Sequence, residues 1–128
     1  MTIYVCEQDP TRAKLIKDVL GVYNYKVESV HNSYEFFKKA NSKKPSVVVL
    51  NEFFADANGP DLLKRLRENP RTFNVPVIFI GNGQTSYQVN QNMFVDDLTE
   101  FVFEPLKIKN LRHYIDRWTT FKSLYTKN

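Results

Sequence analysis

Val47-Val48-Val49-Leu50 runs directly into Asn51 and Glu52, and this stretch decides the fold. Four apolar residues in succession show no alternation with polar ones. Such a run suits a β-strand buried on both faces. Pro76-Val77-Ile78-Phe79-Ile80 reads the same way and stops at Gly81-Asn82-Gly83, a turn signal. Ile3-Tyr4-Val5-Cys6 is a shorter run of the same kind. Lys26 to Val30 alternates instead, as an exposed edge strand does. Glu100 to Phe103 is a last short strand, halted by Pro105.

Helical patterns separate these runs. Asp9-Pro10 supplies an N-cap oxygen and a proline at the first helical position. Leu15, Ile16, Val19 and Leu20 then form an apolar stripe that ends at Gly21. Ser33 to Ala40 is a short helix carrying Tyr34, Phe36 and Phe37. Asn51 to Gly59 reads as a loop, after which Pro60 opens a helix with Leu62, Leu63 and Leu66. Asn58-Gly59 and Asn82-Gly83 are read as turns in which glycine supplies a positive φ. Gln84 to Phe94 is a weak helix, and Ile108 to Leu124 is the longest one, with Ile108, Leu111, Ile115 and Trp118 on one face. Five strands alternating with five helices predict a doubly wound α/β fold, a parallel sheet covered on both sides.

The 128 residues suit a single domain over 1–128. Residues from about 119 to 128 read as a helical extension that could lead into a downstream domain. The one cysteine, Cys6, closes an apolar run and reads as a buried thiol. The absence of a possible internal disulfide suits a reducing, cytoplasmic setting. No N-terminal signal pattern and no run near the ~20 apolar residues of a membrane span is present. The net charge of +4 is modest. Lys107, Lys109, Arg112, Arg117, Lys122 and Lys127 gather toward the C-terminus, but such a run reads as a solvated helix face rather than a nucleic-acid footprint. His31 and His113 are isolated, so no metal site is expected of them.

An open parallel sheet binds its ligands at the carboxyl ends of its strands. Those positions hold Glu7, Gln8 and Asp9, then Asn51 and Glu52, then Gly81 and Asn82, and last Glu104. They are expected to converge on one small pocket, with Asp9 serving mainly as the helix cap.

The order and spacing of these segments resemble the receiver domain of bacterial response regulators over essentially the whole chain. Ile3 to Pro10 is similar to that family's apolar strand, acidic pair and Asp-Pro. Val47 to Gly59 is similar to its central strand, phospho-accepting aspartate and glycine eight positions later. Pro76 to Asn82 is similar to the strand ending in Thr or Ser, and Phe101-Val102-Phe103-Glu104-Pro105 to aromatic-x-x-Lys-Pro. Asn51 and Gly81 lie thirty positions apart, Gly81 and Glu104 twenty-three, within a residue of the family's spacing. The resemblance implies a CheY-like, flavodoxin-like sheet of five parallel strands in the order 2-1-3-4-5 with five helices.

It also implies a chemistry that this chain departs from. In the family, an aspartate attacks a phosphoryl donor, an acidic cluster holds Mg²⁺, and a lysine and a hydroxyl contact the phosphoryl group. Here the nucleophile position is Asn51, whose carboxamide is a poor nucleophile. The acidic pair is Glu7-Gln8, the hydroxyl position is Gly81, and the lysine position is Glu104, which would repel a phosphoryl group. The expectation is a degenerate pocket of Glu7, Gln8, Asn51, Gly81 and Glu104, bonded internally, with no catalytic residue, metal or cofactor.

By the same resemblance Phe101 stands at the family's switch aromatic, and the missing side chain at Gly81 is expected to leave space beside it. The family's fourth helix, last strand and last helix often form a partner or dimer face. Phe101, Tyr114, Trp118 and Phe121 are therefore candidate contacts, and Tyr114, Phe121, Leu124 and Tyr125 form a second stripe beyond the family's usual helix end. The function expected is a non-enzymatic, phosphorylation-independent signalling domain that binds a protein partner or a second copy of itself. The alternative is a small-molecule or cation sensor using the altered pocket.

Overall fold

A computed structural model describes residues 1–23, 25–54, 58–81 and 96–126, with side chains described through Thr119. The described chain runs β1 (Thr2–Cys6), α1 (Pro10–Gly21), β2 (Lys26–Val30), α2 (Ser33–Ser42), β3 (Val47–Asn51), α3 (Gly59–Glu68), β4 (Val77–Gly81) and β5 (Thr99–Phe103). A 3₁₀ turn over Ile108–Asn110 then leads into a C-terminal helix, Leu111–Thr126. The five strands are parallel in the order β2-β1-β3-β4-β5. The weak helix expected over Gln84 to Phe94 lies outside the described residues.

The unbroken apolar runs occupy the middle of the sheet, as burial on both faces requires. Successive side chains of a strand point to opposite faces. Tyr4, Val48, Leu50 and Phe79 accordingly meet Phe36 of α2 and Leu62 and Leu66 of α3 in one core. Ile3, Val5, Val49 and Ile78 meet Ile16 and Leu20 of α1 and Leu111 and Ile115 of the C-terminal helix in the other. The alternating segment, β2, takes an edge, with Val27 and Val30 buried and Lys26 exposed. Cys6 is buried, and burial pushes its thiol pKa up.

Three side chains cap helix starts, and one of them, Asp9, is expected from the sequence. Asp9 Oδ1 accepts from the Thr11 N–H at 3.0 Å, Asn32 Oδ1 from Glu35 at 2.8 Å and Asn58 Oδ1 from Asp61 at 2.8 Å. Two local expectations fail. Leu15 is 49% exposed, and the inward stripe of α1 is Ala13, Ile16 and Leu20. Gly59 has no positive φ; no described glycine does. It opens α3, and a Cβ there would stand 2.7 Å from the Asn51 carbonyl oxygen and 2.7 Å from Glu52 Cα. Close backbone approach, rather than turn geometry, is what requires glycine.

Arg67 binds α3 to the starts of β4 and β5. Its Nη1 donates to the Val75 carbonyl at 2.6 Å, its Nη2 to the Leu98 carbonyl at 3.2 Å and to Thr99 Oγ1 at 2.9 Å, and its Nε to Asp96 at 3.0 Å. Burial lowers its pKa, and the Asp96 charge opposes that shift.

Candidate functional site

The carboxyl ends of β1, β3, β4 and β5 line up on one side of the sheet, as parallel pairing dictates. Glu7 follows β1 and is buried. Its Oε1 accepts from Asn51 Nδ2 at 2.9 Å, and its Oε2 accepts from the Asp9 N–H at 3.2 Å. Asn51, the last residue of β3, uses its other end too: Oδ1 accepts from the Phe53 N–H at 2.8 Å. The carboxamide is thus hydrogen-bonded through both its donor and its acceptor.

Arg12 closes this network from α1. Its Nε lies 3.2 Å from Glu7 Oε1, and its Nη2 pairs with Oε1 of Glu104, the residue after β5. These are charge contacts: both nitrogens are buried and lie off the hydrogen-bond axes. Glu104 Oε2 accepts from the Leu106 N–H at 2.9 Å, fixing the turn toward the C-terminal helix. The Glu104–Pro105 peptide is cis. The site therefore holds a cation on α1 between two carboxylates from opposite sides of the sheet's centre.

Gly81 ends β4 and pairs in register with Phe103. A Cβ at Gly81 would stand 2.9 Å from Phe103 Cδ1, so the ring fills the space that the missing side chain leaves. Space beside Phe101 was the expectation from sequence; Phe103 takes it. The same Cβ would lie 3.4 Å from Oε1 of Glu52, whose side chain is buried here.

Of the predicted pocket residues, Glu7, Asn51 and Glu104 are joined through Arg12, and Gly81 sits beside them under Phe103. Gln8 is exposed and turned to solvent. Mg²⁺ needs a near-octahedral set of oxygen ligands. Here a guanidinium stands against Glu7 and Glu104, and Glu7 is already committed to Asn51 and the Asp9 N–H. This donor set does not fit a hard dication. Among the described residues no group of three or more His, Cys, Asp and Glu is placed to hold a metal.

The candidate contact residues divide across the sheet. β5 forms the edge opposite β2. Phe101 packs on the α2–α3 side, its ring 5.7 Å from that of Phe79. Tyr114 and Trp118 pack half-buried on the α1 side. The C-terminal helix is tied to β5 by the Arg117–Glu100 pair, and to the segment before β2 by the Tyr25 hydroxyl, which donates to Asp116. Phe121 belongs to the helix, but its side chain lies outside those described.

Sequence reasoning named Glu52 among the strand-end residues, and its buried side chain beside Gly81 agrees; it missed Arg12 and Phe103. Two signals bear on Arg12. It stands one helical turn before Ile16 and two before Leu20, on the inward stripe. It is also a cation in the first turn of a helix, where the dipole favours anions, so it needs an acidic partner nearby.

No helix among the described residues is long and apolar enough to cross a membrane. Residues 3–116 match the response regulator receiver domain family. The chain is 24% identical over 126 residues to the 3′,5′-cyclic-nucleotide phosphodiesterase regA of Dictyostelium discoideum, covering 96% of this chain and 16% of that protein's length. The fold is shared with the signal receiver domain of a signal transduction histidine kinase from Syntrophus aciditrophicus, with a TM-score of 0.81, 21% identity, and 93% and 89% of the two chains covered. It is shared also with the receiver domain of a Pseudomonas aeruginosa sensor histidine kinase holding magnesium in its active-site cleft, with a TM-score of 0.80, 16% identity, and 93% and 97% covered. With its five parallel strands in the order β2-β1-β3-β4-β5, the chain belongs to the response regulator receiver domain family, the receivers of two-component signalling.

Proposed function

We propose that this receiver domain signals without accepting a phosphoryl group, inside the cell, through contact with a protein partner or a second copy of itself. The observation that carries this reading is the state of Asn51. A phosphoryl acceptor needs a nucleophilic oxygen free to attack. Asn51 offers a carboxamide whose oxygen accepts from the Phe53 N–H and whose nitrogen donates to Glu7. Glu104 adds a negative charge where the family carries a lysine, and Gly81 offers no hydroxyl. A domain without phosphoryl chemistry is read as non-enzymatic, and contact is the output proposed for it.

The contact surface proposed is the β5 edge with the C-terminal helix, around Phe101, Tyr114, Trp118 and Phe121. The alternative, a pocket that senses a cation or small molecule, loses support because Arg12 already occupies the space between Glu7 and Glu104.

Amide NMR spectra with and without beryllofluoride and Mg²⁺ test the first half. Unchanged peaks for Asn51, Gly81 and Glu104 are expected; shifts there would refute it. Light scattering after size exclusion, with pull-down using Trp118→Ala as a control, tests the second. A strict monomer that captures no partner dependent on Trp118 would count against contact at this surface.

A further inference from the structure

β5 has the fewest buried residues of the five strands. Among the described residues it is an edge strand, bonded to β4 alone. Of its five residues only Val102 is buried. An edge strand with so little core contact is expected to open locally more readily than the rest of the sheet. Yet its carboxyl end is tied at three points. The Glu104 N–H donates to the Gly81 carbonyl at 2.9 Å. The Phe103 ring lies against Gly81. Arg12 pairs with Glu104, while Glu104 holds the Leu106 N–H.

Only the third tie reaches beyond β4. Through Arg12 it joins the end of β5 to Glu7, just after β1, and through Glu7 to Asn51 of β3. Arg12 can hold both carboxylates because it sits in the rigid first turn of α1, behind the Asp9 cap. We propose that Arg12 is a built-in strut: it fixes the end of β5 in one arrangement, so that the neighbouring surface is presented at all times instead of being switched. The strut rests on the reading that no phosphoryl group arrives to move this end. Its charges are arranged accordingly, because the cation that would attract an anion is neutralised from within.

The test is amide exchange and relaxation dispersion at Leu106 and Glu104 in the intact chain, referred to Val49 in the central strand. The wild type is expected to show flat dispersion from Phe101 to Leu106. Arg12→Ala is expected to speed Leu106 exchange at least ~10-fold relative to Val49. Arg12→Lys is expected to restore part of the protection, because it keeps the charge at that point. Should Arg12→Ala fail to fold, Glu104→Gln removes the same charge pair while keeping an acceptor for the Leu106 N–H, and the same local acceleration is expected. Millisecond exchange at β5 in the wild type would overturn the strut. So would unchanged Leu106 exchange in the variants, or a lysine no better than alanine. Beryllofluoride added to the wild-type sample reads the other conclusion separately: peaks that move refute phosphorylation independence, whatever Leu106 does.

Discussion

Arg12 and Glu104 meet across the carboxyl end of the sheet, one from the first turn of α1 and the other from the residue after β5. Their side chains are 25% and 29% exposed, so the pair is only partly screened by solvent. Glu104→Lys would set two cations against each other and leave Glu7 as the one remaining carboxylate on Arg12 among the described residues. The expected loss is about 1–2 kcal/mol, between the value of an exposed pair and that of a buried one. Urea unfolding should show a lower midpoint with an unchanged slope. Unaltered stability would mean that the pair contributes nothing.

Asn51→Asp tests whether Asn51 by itself underlies the proposed inability to accept a phosphoryl group. The new carboxylate would face Glu7 Oε1, which now lies 2.9 Å from Asn51 Nδ2. Replacing that hydrogen bond by repulsion should cost about 1–3 kcal/mol. Phosphorylation by acetyl phosphate should remain absent, because Glu104, Gly81 and the guanidinium of Arg12 are unchanged. A phosphoprotein seen by mass spectrometry would show that residue 51 alone decides whether a phosphoryl group is accepted.

A side chain at Gly59 and one at Gly21 have opposite effects. At Gly59 a Cβ meets backbone atoms at 2.7 Å that cannot move aside, so Gly59→Ala should destabilise by about 2–4 kcal/mol. At Gly21 a Cβ meets nothing within 4 Å, and the residue is helical without a positive φ. Gly21→Ala should stabilise by about 0.4–1 kcal/mol, mainly by restricting the unfolded chain. Thermal unfolding of the two variants checks both signs.

Arg67 gives a sharper case of geometry over charge. One planar group serves Asp96, Thr99 and the Val75 and Leu98 carbonyls at once. Lysine keeps the charge but offers a single point of donation. Arg67→Lys should leave buried acceptors unpaired and cost about 2–4 kcal/mol, with hydrogen exchange accelerating first at the starts of β4 and β5. A neutral substitution would mean that these contacts add little.

These cases also mark where the sequence was readable. Val47 to Leu50 and Pro76 to Ile80 announced central strands because burial on both faces leaves no room for polar residues. Asp9 announced a helix start because a capping oxygen acts within three residues; Asn58, which caps α3 in the same way, reads in the sequence as part of a turn. Leu15 misled because a helical stripe has two borders, and apolar content alone cannot place them; Arg12, the inward residue, looked like surface. The convergence of Glu7, Asn51 and Glu104 followed from parallel topology. The closing of that site by Arg12 and by Phe103 did not, since it depends on register and on side-chain reach across the sheet. Gly81 shows this well: what covers it is set by pairing with Phe103, twenty-two positions away.

Cys6 supplies the pH dependence. Burial raises its thiol pKa from the ordinary 9.0, with Glu35 adding to the shift. The folded state thus holds the proton more tightly than the unfolded chain. Its contribution is fully present below the unfolded value and is lost as pH rises through it and beyond. Linkage gives a loss of about 1 kcal/mol between pH 9 and 10 from this group alone. Tyr4, also pushed up by burial, adds its own loss above the ordinary 10.0. Urea midpoints measured from pH 7 to 10 should be level up to about pH 8.5 and then fall. In Cys6→Ala the midpoint starts lower, because core volume is lost, but the fall between pH 9 and 10 should be shallower. Ellman's reagent should label the wild-type thiol only at the rate of opening, so fast labelling of the native protein, or identical slopes for the two proteins, would show that Cys6 is not sealed in the core.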